Sequence, residues 1–331
     1  MNSVDSRPQV ALVDWADEFF PMGFEAERLA AVGARWTQHR CTSEDEALAV
    51  AREALVIVVQ TTRPLLTRRV IAQTPNCRCM VRAGAGYDSI DTVAATERGI
   101  MVCNTPTYCT DEVADHAIAL LLACLRHVPR LDRNMRSGDH TMTTIDHTRR
   151  VAGATLGIIG LGRIGRRVAQ RLRGWELRTL AYDPYITDEQ AREVGAERVS
   201  LEELLRVADF VTLHCPLTPE THHLIGAREL ALLKPTAILV NDARGPIVDE
   251  LALAAALREG RLWGAGLDVF AQEPLPADSP LVGLENVILT PHAAAYSPQS
   301  RADLYALICE VAADVVQGQT PRFVVNPEVL G

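Results

Sequence analysis

Four side chains able to hold an acid or move a proton fall in three short stretches: Arg244 in ILVNDARGPIVD, Asp268 and Glu273 in GAGLDVFAQEP, and His292 in ILTPHAAAYS. Each stretch begins in or just after an apolar run that reads as a buried strand. Loops at the carboxyl ends of such strands are where open α/β sheets bind ligands. A guanidinium forks onto a carboxylate and polarises an adjacent carbonyl, and an imidazole exchanges protons near neutrality. Glu273 is therefore expected to accept a hydrogen bond from one nitrogen of His292, fixing its tautomer and raising its pKa, while the other nitrogen faces a substrate oxygen. Taken singly, each residue has an ordinary reading. Arg244 could pair with a surface acid, Glu273 could be a solvated carboxylate before Pro274, Asp268 could cap a turn, and His292 could bond backbone groups in a tight turn.

What joins them is a stretch further upstream, TLGIIGLGRIGRRVAQRL. The loop Gly160-Leu161-Gly162-Arg163-Ile164-Gly165 follows an apolar strand and opens an amphipathic helix. Gly160 permits a tight turn, Gly162 lets the backbone approach a pyrophosphate, and Gly165 lets helix and strand pack closely. The helix N-terminus offers free amides and partial positive charge to phosphates. The next strand, LRTLAYD, ends in Asp183, where a carboxylate can accept both ribose hydroxyls and repel a 2′-phosphate. That order points to NAD rather than NADP. A hydride carrier, a carbonyl-polarising cation and an acid of near-neutral pKa are together what reduction of a ketone requires.

The elements that must position these groups follow from periodicity. Short branched runs at 10–15, 54–59, 79–83 and 100–104 alternate with amphipathic segments, the pattern of a parallel sheet with crossover helices. A long helix is expected from 110 to about 137, kinked at Pro129 and stopped near Gly138. Strands near 155–160, 177–182, 209–214, 236–241, 263–268 and 286–290 then make a second, doubly wound sheet. Capping boxes at Ser43-x-x-Glu46 and Ser200-x-x-Glu203 open two of the helices. A last helix ends near Gly318 and is expected to pack back on the first domain.

Composition removes other classes of function. A chain of 331 residues with 48% hydrophobic and 23% charged residues is sized for two ordinary globular domains. Net charge is −9 and no basic run exceeds a pair, so nucleic acid and anionic membranes are not expected partners. The longest apolar run, AIALLLACL, is too short to span a bilayer, and the start has no signal-peptide pattern. The eight cysteines are scattered without a metal-ligand spacing, as in a reduced cytoplasmic protein, and no metal is expected. Surplus apolar surface on the 110–137 helix points to a homodimer.

With VRAGAGYDSID, GLGRIG, YDPY, TLHCPLTPETHHLI, LVNDARGPIVDE, GLDVF and TPHAAAYS in order, nearly the whole chain resembles the D-isomer-specific 2-hydroxyacid dehydrogenases, nearest the phosphoglycerate dehydrogenase and C-terminal-binding protein branch. The resemblance implies a flavodoxin-like substrate-binding domain (1–104 plus 297–331) and a Rossmann NAD-binding domain (105–296), with a cleft between them. It implies catalytic roles for Arg244, Glu273 and His292 on a small 2-oxo or 2-hydroxy acid. Asp268 would meet the nicotinamide carboxamide. Cys215, Pro216 and Thr221 would border the adenosine half, with further cofactor contacts at Asp242, Ala243, Arg244, His292 and Ala294. Backbone amides from Ala83, Gly84 and Ala85 onward would hold the substrate carboxylate, with Arg82 either meeting a second anionic group or pairing with Asp88 or another acid. Ala295 stands where C-terminal-binding proteins have a tryptophan, so their substrate preference does not carry over. A dinucleotide-sensing corepressor or scaffold is the alternative, and a formate dehydrogenase relative is disfavoured because those enzymes pair the histidine with glutamine rather than a Glu273.

Overall fold

The computed structural model describes residues 5–15, 20–140 and 148–331. Residues 1–4, part of the opening stretch read for an export signal, lie outside the described residues. The chain divides into two compact units, residues 1–109 with 296–331, and residues 110–295.

The first unit runs β1 (Gln9–Leu12), α1 (Glu25–Ala31), β2 (Arg35–Gln38), α2 (Glu44–Ala51), β3 (Ala54–Val59), α3 (Arg68–Ile71), β4 (Cys79–Arg82), α4 (Thr92–Glu97) and β5 (Met101–Cys103). The strands form one parallel sheet in the order β2-β1-β3-β4-β5. β1 and β4 are buried throughout and β3 at every residue but Leu55, which is why they read as apolar runs. β2 (RWTQ) escapes such a reading because it is a half-buried edge strand.

The second unit opens with α5 (Thr110–Leu125) and α6 (Val128–Arg136). It continues through β6 (Thr155–Ile159), α7 (Arg163–Arg171), β7 (Arg178–Tyr182), α8 (Asp188–Glu193), β8 (Ala196–Arg198), α9 (Leu201–Val207), β9 (Phe210–Leu213), α10 (Ala227–Leu230), β10 (Ile238–Asn241), α11 (Glu250–Arg258), β11 (Gly264–Leu267) and β12 (Val287–Leu289). Here the order is β12-β11-β10-β9-β6-β7-β8, again all parallel. Strand order reverses at β6, so a crevice opens beside its carboxyl end. Apolar cores lie on both faces: α9 and α11 contribute Leu204, Leu253 and Leu257 to one, and α5 and α7 contribute Leu120, Leu121 and Val168 to the other. The final helix, α12 (Pro298–Val316), belongs to the first unit and packs on β3, β4 and α1, with Tyr305 fully buried. No helix among the described residues is long and apolar enough to cross a membrane.

Two expectations about the 110–137 segment change. It is two helices rather than one kinked helix: His127 takes a left-handed conformation (φ 54°) and Pro129 lies in the first turn of α6, where its missing amide has no ladder partner to lose. The apolar residues of α5 are also consumed within the unit, with Val113, Ala117, Leu120, Leu121 and Leu125 all buried. The exposed apolar surface is on α6 instead, at Val128 and Met135.

α5 lies directly on the backbone of β11. A Cβ added at Gly266 would come within 2.9 Å of the Leu120 Cβ, so only glycine permits this approach. Gly266→Val should therefore destabilise the protein by ~1–3 kcal/mol through overpacking, read as a lower urea midpoint with unchanged slope.

Candidate active site

The glycine loop has the shape its spacing predicts. Gly160 adopts φ +90°, and a Cβ there would meet Cys215 N at 2.6 Å and His214 C at 2.8 Å, so the loops after β6 and β9 touch backbone to backbone. A Cβ on Gly165 would lie 2.2 Å from Gly160 O, the close helix–strand contact expected. In front of Gly162, by contrast, there is nothing within 4 Å, and no side chain caps α7. Open space before uncapped amides of Arg163 and Ile164 fits a pyrophosphate. Asp183 is tied to the same loop: its Oδ2 accepts from Leu161 N (2.9 Å) and its Oδ1 from Tyr185 N (2.9 Å). After β9, Thr221 Oγ1 donates to Pro216 O (2.6 Å) and accepts from Thr218 N (2.7 Å), which rigidifies the Cys215–Thr221 border. Burial pushes the Cys215 thiol up to about 11, so it packs as a neutral group.

The second half of the sheet brings Glu273 and His292 together, with Arg244 close enough for its charge to act on Glu273. Past β10, Asn241 accepts from Ala243 N (3.1 Å) and donates to Arg244 O (2.9 Å), a side-chain-closed turn that aims Arg244. Arg244 Nη1 donates to Ala243 O (2.7 Å). A Cβ on Gly245 would lie 1.9 Å from Phe270 C, so the 244–245 loop rests on the 270–271 loop that carries Glu273. His292, at φ 54°, sends Nδ1 to Glu273 Oε2 at 2.8 Å, and Glu273 Oε1 accepts from Phe270 N (3.1 Å). Burial alone would raise the Glu273 carboxyl, but the His292 hydrogen bond and charge, with Phe270 N and Arg244, hold it net below its usual range. Since the carboxylate accepts, Nδ1 carries a hydrogen. Nε2 has no partner among the described residues, and the side chain is 31% exposed.

Asp268 is wholly buried and collects four donors. Oδ1 accepts from the Thr290 hydroxyl (2.6 Å) and Ala293 N (2.8 Å), with His116 Nε2 at 3.4 Å, and Oδ2 accepts from Ala294 N (2.9 Å). Asp268 O also accepts from His292 N (2.7 Å), so this residue fixes the turn that presents His292. Burial opposes its charge, yet His116, Thr290 and the two amides hold the carboxyl net below the usual aspartate range. His116 and Thr290 escaped sequence reasoning: the first reads as a polar residue in an apolar helix, the second as a strand-end threonine. Asp242 is likewise buried, 3.3 Å from His214 Nδ1.

The expected substrate loop lies in the first unit. Ala83 N donates to Val59 O at the end of β3 (2.8 Å) and Gly84 N to Arg82 O (2.9 Å), so these two amides are already committed. Among the described residues the amides of Ala85 and Gly86 have no acceptor. Arg82 is buried, donates to Ala83 O and acts electrostatically on Asp14.

Residues 118–294 match the family model for the D-isomer specific 2-hydroxyacid dehydrogenase, NAD binding domain. A glyoxylate reductase of Korarchaeum cryptofilum is 46% identical over 266 residues, 79% of this chain and 80% of that one. A D-3-phosphoglycerate dehydrogenase of Methanocaldococcus jannaschii is 41% identical over 285 residues, 86% of this chain, which spans 54% of that relative's length. The crystal structure of a glyoxylate reductase from Paecilomyes thermophila superposes with a TM-score of 0.86 at 28% identity, covering 97% and 98% of the two chains. The chain belongs to the D-isomer-specific 2-hydroxyacid dehydrogenase family, oxidoreductases built on an NAD-binding domain.

Because the Asp268 carboxyl is depressed, its charge stabilises the folded state above the ordinary aspartate range and that contribution disappears as pH falls through the folded value. Asp268→Asn should lower stability at pH 7 by ~1–3 kcal/mol, with the gap to wild type narrowing below about pH 4 in denaturant titrations.

Proposed function

We propose that this dehydrogenase reduces a small 2-oxo acid of the glyoxylate type with NADH, His292 being the proton donor. The observation that carries the reading is the 2.8 Å bond between His292 Nδ1 and Glu273, with the opposite ring nitrogen open and Arg244 bearing on the same carboxylate. NADH supplies the hydride that reaches C2. Arg244 forks onto the substrate carboxylate and polarises the adjacent carbonyl. Nε2 of His292 delivers its proton to the oxygen as negative charge develops there, while Glu273 holds the ring and balances the imidazolium. In the oxidative direction the neutral ring is the base.

A small, unphosphorylated substrate is supported on two sides. Arg82 donates to the carbonyl of its own neighbour, Ala83. Relatives named glyoxylate reductase match along 80% and 88% of their own length. Asp183, charged and fixed beside the glycine loop, supports NADH over NADPH. The same reading divides the chain into a substrate-binding part (1–104 and 297–331) and an NAD-binding part (105–296), and pairs two copies through α6, none of whose residues is buried.

Oxidation of NADH should be fastest with glyoxylate in a screen that includes hydroxypyruvate, phenylpyruvate, branched 2-oxo acids and 2-oxoglutarate, and at least tenfold less efficient with NADPH. His292→Ala should lower kcat by roughly 10²-fold or more and leave NADH affinity nearly intact. Unchanged turnover in that variant would remove His292 from the mechanism. Sedimentation should give a dimer that Val128→Glu with Met135→Glu converts to monomer, and a wild-type monomer would refute the pairing.

A further inference from the structure

A cavity of about 600 Å³ opens in the second unit at the amino ends of β10, β11 and β12, beside Thr236, Trp263 and Asn286. The carboxyl ends of the same strands carry Asp242, Asp268 and Thr290, so the cavity lies at the other edge of the sheet from Glu273 and His292. Its size falls within the roughly 300–1,000 Å³ of small-molecule sites. Asn286 Nδ2 donates to Leu257 O (3.1 Å) and Trp263 O (3.3 Å), which joins the end of α11 to the starts of β11 and β12 and fixes the floor.

One part of the lining is aromatic and apolar. The Trp263 indole stands edge-on to His127, ring centroids 5.1 Å apart at 82°, and Leu257 and Leu262 line the same space. Burial pushes the Cys124 thiol up to about 12, so that side chain adds no charge. The rest of the lining is cationic, in a chain whose net charge is −9. Arg130 is balanced by Glu285 at 2.9 Å. Among the described residues Arg133 has no side-chain partner, and Arg258 has only a 3.4 Å contact to Pro280 O. Two guanidinium groups without a counter-charge, next to an indole, suit a ligand with an anionic head and a flat apolar body. On α6, Arg130 and Arg133 share one face and Val128 and Met135 the other, so pairing of two copies through the second face does not use the first. We propose that this cavity is a second ligand site, for a small aromatic carboxylate held by Arg133 and Arg258 against the Trp263 indole. It is separate from the proposed reaction and requires neither the glycine loop nor His292.

Isothermal titration calorimetry with 2-naphthoate and with uncharged 2-naphthamide tests the charge and the apolar body separately, with thermal melts as the folding control. Wild type should bind 2-naphthoate about tenfold more tightly than 2-naphthamide, the worth of one charge-assisted contact. The double variant Arg133→Gln with Arg258→Gln, two exposed side chains whose loss leaves the core intact, should melt as wild type does, bind 2-naphthoate about tenfold more weakly and treat the two probes alike. Affinity for 2-naphthoate should be the same with and without NADH. A probe that NADH displaces would lie in the dinucleotide site, and a double variant that keeps the wild-type preference would place the carboxylate elsewhere; either result overturns the proposal. So does displacement of 2-naphthoate by an equal concentration of inorganic phosphate, which would make the arginines an unselective anion patch, and so does a wild-type protein that binds neither probe.

Discussion

A carboxylate taken out of water must be surrounded by donors or it gives up its charge, and Asp268 meets that demand by gathering donors from three segments of chain. The Thr290 hydroxyl comes from the end of β12, the amides of Ala293 and Ala294 from the following turn, and His116 from α5. Its own carbonyl takes the His292 amide. The left-handed backbone of His292, unfavourable for a residue with a side chain, is held by these bonds on either side of it. Placement of His292 is thus a consequence of satisfying a buried charge one strand away.

The same economy of contact recurs wherever loops must meet. Gly160 lets the β6 loop rest on the backbone of His214 and Cys215, Gly245 lets the Arg244 loop rest on Phe270, and Gly266 lets α5 rest on β11. At each point a methyl group would fall inside van der Waals contact. Rigid loop-to-loop seating is what keeps Arg244, Glu273 and His292 within reach of one another without relying on long, flexible side chains.

Much of this was legible beforehand. Parallel strands buried along most or all of their length are apolar runs, so β3, β4, β6, β9 and β10 were visible, as were the Ser43 and Ser200 caps, each of which accepts from the amide three residues on. The edge strands β2 and β8 were not, since RWTQ and AER expose one side and carry little apolar signal. The division of one long periodic segment into α5 and α6 was missed because Pro129 is as compatible with a helix start as with a kink, and the left-handed His127 between them has no signature of its own.

Sequence alone marked out the dinucleotide loop, the acidic end of the following strand and Arg244, Glu273 and His292 as candidates, because each follows a buried strand in a fixed local order of strand, turn and residue type. Tertiary structure alone decided that Asp268 is sealed from solvent with His116 as its accessible partner, and that the amides of Ala83 and Gly84 are spent on Val59 O and Arg82 O. Those facts depend on which donors from distant segments reach a given acceptor, and hydrogen-bond demand between segments more than a hundred residues apart leaves no periodicity to read.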